Sequence, residues 1–172
     1  MAIYAIGDRV PRIDPSAFVH PDATVIGDAA IGPEASVWPQ AVLRADYGTI
    51  RVGARTSVQD GSVIHATAAH PTIIGAGCVV GHCAHLEGCT VEDGVLIGSG
   101  SIVLHRAVVG ACALVGAQAL VPNDKIIPPR AMALGVPVRV RPDAMPEGHT
   151  AKAVAKYVQN TQWYRTALRR LE

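Results

Sequence analysis

The sequence predicts an all-β left-handed parallel β-helix of about six triangular coils, followed by a C-terminal α-helix. Three observations predict it. Aliphatic residues recur at every sixth position, small residues recur four places after them, and glycine often follows the aliphatic residue. An interval of six matches neither the period of a single helix nor that of a single strand. It matches short strands joined by tight turns, and repeats of this kind decide the architecture.

The first aliphatic run is Ile13, Val19, Val25, Ile31, Val37 and Leu43, and the second is Val52, Val58 and Ile64. The third is Ile74, Val80 and Leu86, and the fourth runs Val91, Ile97, Val103, Val109, Val115 and Val121. The small positions include Ala17, Ala23, Ala41, Ser62, Ala84, Ser101 and Ala119. The large side chain fills the prism and the small one fits the corner. Eighteen hexads at three per coil give six coils. Stacked at a strand spacing of about 4.8 Å, they make a prism on the order of 30 Å tall. Breaks between runs mark register shifts or excursions, and HATAAHPT after Ile64 reads as a loop leaving the prism.

Beyond the last run, Pro122, Pro128, Pro129, Pro137, Pro142 and Pro146 read as a capping turn and linker. From Thr150, a candidate N-cap, the spacing turns helical through Val154, Tyr157, Val158, Thr161, Tyr164, Arg165, Leu168 and Leu171. The expected organisation is therefore a β-helix with its caps over residues 1–149 and an amphipathic helix over 150–172 packed on the prism.

Composition narrows the function classes. The net charge of +1 gives no electrostatic case for nucleic acid or acidic membranes. No stretch approaches the roughly 18 apolar residues of a membrane span. The N-terminus shows no signal-peptide pattern, so a cytoplasmic location is expected. With one Phe and two Trp, the core must be built from small aliphatics. Cys78, Cys83, Cys89 and Cys112 form no C-x-x-C pair and read as reduced thiols.

The hexad register also says which polar residues stack. Leu43, Ile64 and Leu86 open the third hexad of successive coils, so Arg44, His65 and Glu87 share one edge column. Val58, Val80 and Ile97 open the middle hexads, so Asp60, His82 and Ser99 share another. His65 and Glu87 are then neighbours in one chain, whereas His82 meets them more easily from a neighbouring subunit. Two histidines and a carboxylate around an open position are a catalytic zinc set and also a non-haem iron set. The plainer alternative is scattered surface or interface polarity.

The blocks VLRADYGTIRVG (42–53), TSVQDGSVIH (56–65) and IIGAGCVVGHCAHLEGCTV (73–91) carry a family resemblance. The chain resembles the γ-class carbonic anhydrases, a branch of the hexapeptide-repeat proteins, over nearly its whole length. The resemblance implies a homotrimer with a metal site at each subunit interface, holding Zn²⁺, Fe²⁺ or Co²⁺ through three His. Position by position, His65 matches the first ligand and His82 the ligand given across the interface. The third ligand position holds Glu87. Arg44 and Asp46 match the pair beside the site and the subunit contact. Gln59 and Asp60 match the pair that polarises the nucleophilic water and meets Arg across the interface.

Glu87 leaves three readings open. It is the third ligand, giving a more negative site whose bound water is a weaker acid than with three His. Or His85 replaces it, although it lies two positions earlier and is expected to point elsewhere. Or no metal binds. The implied reaction is the lyase chemistry of CO₂ hydration to bicarbonate by a metal-bound hydroxide oriented by Gln59. Acidic shuttle residues of the family's loop are missing from ATAAHPT, where His70 is the one titratable side chain and a candidate proton carrier. His105 is expected at the surface, and His20 and His149 lie away from the site blocks. Competing readings are CoA-dependent acyl transfer, for which a long excluded loop is missing, metal-assisted thioester or other hydrolysis, and a non-catalytic trimeric scaffold.

Overall fold

The structure, a computed structural model, describes residues 2–171. Most hexads fold into parallel strands of two or three residues, two longer strands run around a corner, and together they stack into the three faces of a left-handed β-helical prism. One face stacks Thr24, Val42, Val63, His85, Ile102 and Leu120 in register. A second stacks Ile50, Thr72 and neighbouring positions up to Ile126. The third runs from Phe18–Val19 through Ser57–Val58, Val79–Val80 and Leu96–Ile97 to Met132–Leu134. The eleven-residue strand Val42–Val52 turns from the first face to the second, pairing Val63–His65 at one end and Thr72–Ile74 at the other. This bent strand explains why the hexad count slips between Leu43 and Val52.

Every repeat aliphatic from Val25 to Val121 lies inside the prism with at most 3% of its surface exposed. Burial of each such side chain contributes about 1.5–3 kcal/mol. The small column is as tightly enclosed: Ala23, Ala41, Ser62, Ala84, Ser101 and Ala119 are buried. Where serine replaces alanine, its hydroxyl is satisfied at the corner. Ser62 Oγ donates to the Gly81 carbonyl at 2.9 Å and Ser101 Oγ to the Gly98 carbonyl at 2.7 Å.

The solenoid has about seven turns, one more than the hexad count predicted. The difference lies in the proline-rich segment. Ile126–Ile127 and Met132–Leu134 continue the second and third faces, with Ile127 and Ala133 fully buried. Pro122 and Pro128 sit at corners, where their carbonyls accept from Lys125 and Ala131 and no ladder N–H is required of them. Arg139–Arg141 then pairs antiparallel with Met132–Leu134 and ends that sheet.

The helix runs Ala151–Ala167. Thr150 precedes it but makes no side-chain cap; its hydroxyl donates instead to the Gly94 carbonyl at 3.3 Å. Trp38 anchors the helix to the third face. Its ring lies 5.8 Å from Tyr157 and 5.0 Å from Tyr164 between centroids, and its Nε1–H donates to Ser36 Oγ and Ser57 Oγ. Leu168 and Leu171 lie beyond the helix and are exposed, so the apolar stripe is shorter than its spacing suggested. No helix among the described residues is long and apolar enough to cross a membrane.

Candidate functional site

Arg44, His65 and Glu87 are register partners on three adjacent strands. They face outward because Leu43, Ile64 and Leu86 beside them face inward, and strand side chains alternate. His65 Nδ1 lies 2.8 Å from Glu87 Oε1, and His65 Nε2 lies 3.2 Å from Asp46 Oδ1. The imidazole is thus held between two carboxylates, and in its neutral form it donates to only one of them. Arg44 pairs with Asp46, two residues along the same strand face. Partial burial opposes the charge of Asp46, but hydrogen bonds from Arg44, a backbone N–H and His65 outweigh it and hold the carboxyl low. Thr72 braces the column: its hydroxyl donates to the His65 carbonyl and accepts from Gly88 N–H at 2.8 Å.

Glu87 gathers two further histidines that the sequence reading set aside. His85 Nε2 lies 3.3 Å from Glu87 Oε2. His85 and Glu87 are two apart in the strand His85–Glu87, and residues two apart share a face, so the expectation that His85 points elsewhere is corrected. His105, expected at the surface, has its Nε2 enclosed and 3.4 Å from Glu87 Oε1. Burial opposes ionisation of Glu87, but His65, His105 and His85 together hold its carboxyl below the usual range.

The loop after His65 folds back on this cluster. Thr67 and His70 exchange backbone hydrogen bonds, and the His70 ring packs on that of His105 with centroids 5.4 Å apart. Gly88 makes room for both. Its φ is +62°, and a Cβ there would stand 2.7 Å from the His105 ring and 2.8 Å from His70 Cβ. Arg106 Nη1 lies 3.2 Å from His70 Nε2, while its Nε and Nη2 grip Asp124 at 2.6 and 2.8 Å.

The remaining predicted residues lie at another corner of the prism. Gln59 is buried. Asp60 and His82 are one coil apart and paired, with Oδ2 and Nδ1 at 2.9 Å. Within one chain His82 therefore meets Asp60, not His65 or Glu87. Among the described residues no three His, Cys, Asp or Glu side chains of one chain are arranged to hold a metal ion. His20 is buried and accepts from Asp22 N–H at 3.1 Å; His149 Nε2 lies 3.0 Å from the Cys112 carbonyl. All four cysteines are free.

No family model matches the chain. In solved structures it is similar over almost its full length to a Bacillus cereus protein provisionally named an acetyltransferase, at 33% identity and a TM-score of 0.93, covering 97% of this chain and 98% of that one. A hexapeptide transferase family protein from Anaplasma phagocytophilum matches at 31% identity and a TM-score of 0.89, covering 95% and 98%. The chain belongs to the hexapeptide-repeat superfamily. Over about half of its length it is also similar to curated relatives. Gamma carbonic anhydrase 1, mitochondrial, of Arabidopsis thaliana is 44% identical over 92 residues, which is 50% of this chain and 34% of the plant protein. The carnitine operon protein CaiE of Escherichia coli is 37% identical over 91 residues, 53% of this chain and 46% of that protein. The match thus spans between a third and a half of the length of these curated relatives.

Proposed function

We propose that this hexapeptide-repeat protein is a γ-carbonic-anhydrase-like metalloprotein. It assembles as a homotrimer and hydrates CO₂ reversibly to bicarbonate at sites between subunits. The observation that carries the reading is the 2.8 Å pairing of His65 with Glu87 on adjacent coils, while His82 faces a different corner beside Asp60. Two imidazoles and a carboxylate are a zinc donor set, and this one closes only when His82 comes from a second copy. His65 and Glu87 of one subunit and His82 of its neighbour would hold Zn²⁺, with Fe²⁺ or Co²⁺ as alternatives. Such a metal supplies a nucleophilic water near neutral pH.

The chain's own residues do the rest. Gln59, already enclosed, orients the reacting water through its amide. Asp60 holds His82 before assembly and is freed to pair with Arg44 of the neighbouring subunit, a charge-assisted contact suited to a partly buried interface. Asp46 fixes the His65 ring from the side away from Glu87. His70, in the loop over the site, carries the released proton to solvent.

A subunit-mixing experiment tests the arrangement. His65→Ala and His82→Ala proteins each bind no metal alone. Mixed and reassembled, they regain a fraction of intact sites, because one interface then carries both missing ligands. Failure of every mixture to regain metal contradicts a shared site.

One observation favours a second reading. Glu87 is already engaged by His65, His85 and His105 of its own chain, which suits a non-catalytic trimeric scaffold whose polar edge is self-satisfied. Hydrolysis of a thioester or related carbonyl compound at the metal site is the other enzymatic reading.

A further inference from the structure

The cluster at the corner following Glu87 contains a residue with no place in the reading above. Arg106 and Asp124 occupy one left-handed corner column, with φ of +59° and +62°, and Gly88, with φ of +62°, turns the preceding coil one residue out of that register. Arg106 N–H donates to the Gly88 carbonyl at 2.7 Å, and Asp124 N–H to the His105 carbonyl at 3.0 Å. Arg106 is therefore fixed at its backbone. At its side chain it is gripped through two parallel N–H···O bonds to Asp124, a geometry that orients the guanidinium plane. The remaining arm, Nη1, points at His70 Nε2, 3.2 Å away.

A guanidinium only donates. Across this contact the imidazole nitrogen must accept, so His70 Nε2 bears the lone pair and Nδ1 bears the proton. We infer that Arg106, anchored by Asp124, is a positioning residue that fixes both the place and the tautomer of His70 over His105. This rests on the reading of His70 as the proton carrier of CO₂ hydration. The groups facing His70 are Arg106 with Asp124 behind it on one side, and His105 with Glu87 behind it on the other; its own loop contributes Thr67.

The device balances over a cycle. The Arg106 Nη1–His70 Nε2 bond opens, and Nε2 takes from the site the one proton released when water becomes the nucleophile. The imidazolium gives that proton to a buffer base, and His70 returns to the Nδ1–H form against Arg106. Arg106 stays protonated throughout and returns the carrier to the same place and tautomer beside the site.

The test is ¹⁵N NMR of the His70 ring in the full chain at about pH 8.5, above the ordinary imidazole range, with CO₂-hydration rates beside it. In the wild type the Nδ1–H tautomer is expected. Arg106→Ala releases Nε2 and shifts the ring towards Nε2–H, and Asp124→Asn does so to a smaller extent. Arg106→Ala is expected to lower the hydration rate about tenfold in weak buffer, less than the roughly 10²–10⁴-fold that a positioned acid–base group itself contributes, because His70 is misplaced rather than removed. Imidazole buffer should restore the rate, which a structural defect would not allow. An unchanged tautomer in both variants overturns the inference. So does a shifted tautomer with an unchanged rate in weak buffer. If the wild type hydrates no CO₂, the functional reading fails, and the tautomer alone then decides whether Arg106 positions His70.

Discussion

His65 and Glu87 stand one coil apart in strict register, with Nδ1 and Oε1 separated by 2.8 Å. Glu87 also faces His85 and His105, so one carboxylate organises three imidazoles. Glu87→Ala therefore removes the hydrogen-bond partner of His65 Nδ1 and His85 Nε2 and the carboxylate nearest the enclosed Nε2 of His105. The expected loss is about 1–3 kcal/mol, the cost of leaving part-buried imidazole groups without that partner. Urea unfolding of the metal-free protein measures it.

Gly88 supports the same cluster from the backbone. A side chain there meets a left-handed φ as well as the rings of His105 and His70. Gly88→Ala is expected to destabilise the fold by about 1–3 kcal/mol and to separate the two rings. A fall in the urea midpoint, with shifted ring resonances for His70 and His105 alone among the histidines, is the expected result.

Acid sensitivity is expected near the bulge of the strand Thr24–Ile31. Hydrogen bonds from Thr49 and Arg51 hold the Asp28 carboxyl below its ordinary value of 3.8. A folded pKa lower than the unfolded one stabilises the fold fully above the unfolded value, and this contribution is lost as pH falls through the folded value. The stability gap between wild type and Asp28→Asn should therefore be widest above the ordinary carboxylate range and shrink as the pH falls below it. A gap independent of pH in urea titrations would contradict this.

Burial pushes the Cys78 thiol up to about 11 and the Cys89 thiol up to about 12. Thiolate is the reactive form, so both residues should resist alkylation in the native protein. Mass spectrometry after brief treatment with iodoacetamide should find them unmodified until urea unfolds the chain.

Much of this was legible in the residues. The six-residue interval gave the prism, and stepping along it placed Arg44, His65 and Glu87 in one column and Asp60 beneath His82, as the strand pairing and the Asp60–His82 contact show. His85 was readable too, since residues two apart on a strand share a face. His105 was not. Val103 pairs with Leu86, so His105 stands level with Gly88 rather than Glu87. It reaches the carboxylate diagonally, across space that a residue without a side chain leaves open, and a column count has no term for that lean. The extra turn was obscured because prolines at corners look like a linker until the carbonyls they present are traced. The contact of Arg106 with His70 joins residues 36 apart through a loop, and no repeat brings them together.

The most direct measurement is metal content together with CO₂-hydration rate, for wild type and Glu87→His, after purification with Zn²⁺ and, anaerobically, with Fe²⁺. We expect close to one metal per subunit and measurable hydration in the wild type. Glu87→His should be faster, because a neutral third ligand leaves the bound water a stronger acid. A wild-type protein that takes up neither metal and hydrates no CO₂ would contradict the enzyme and leave a trimeric scaffold in its place.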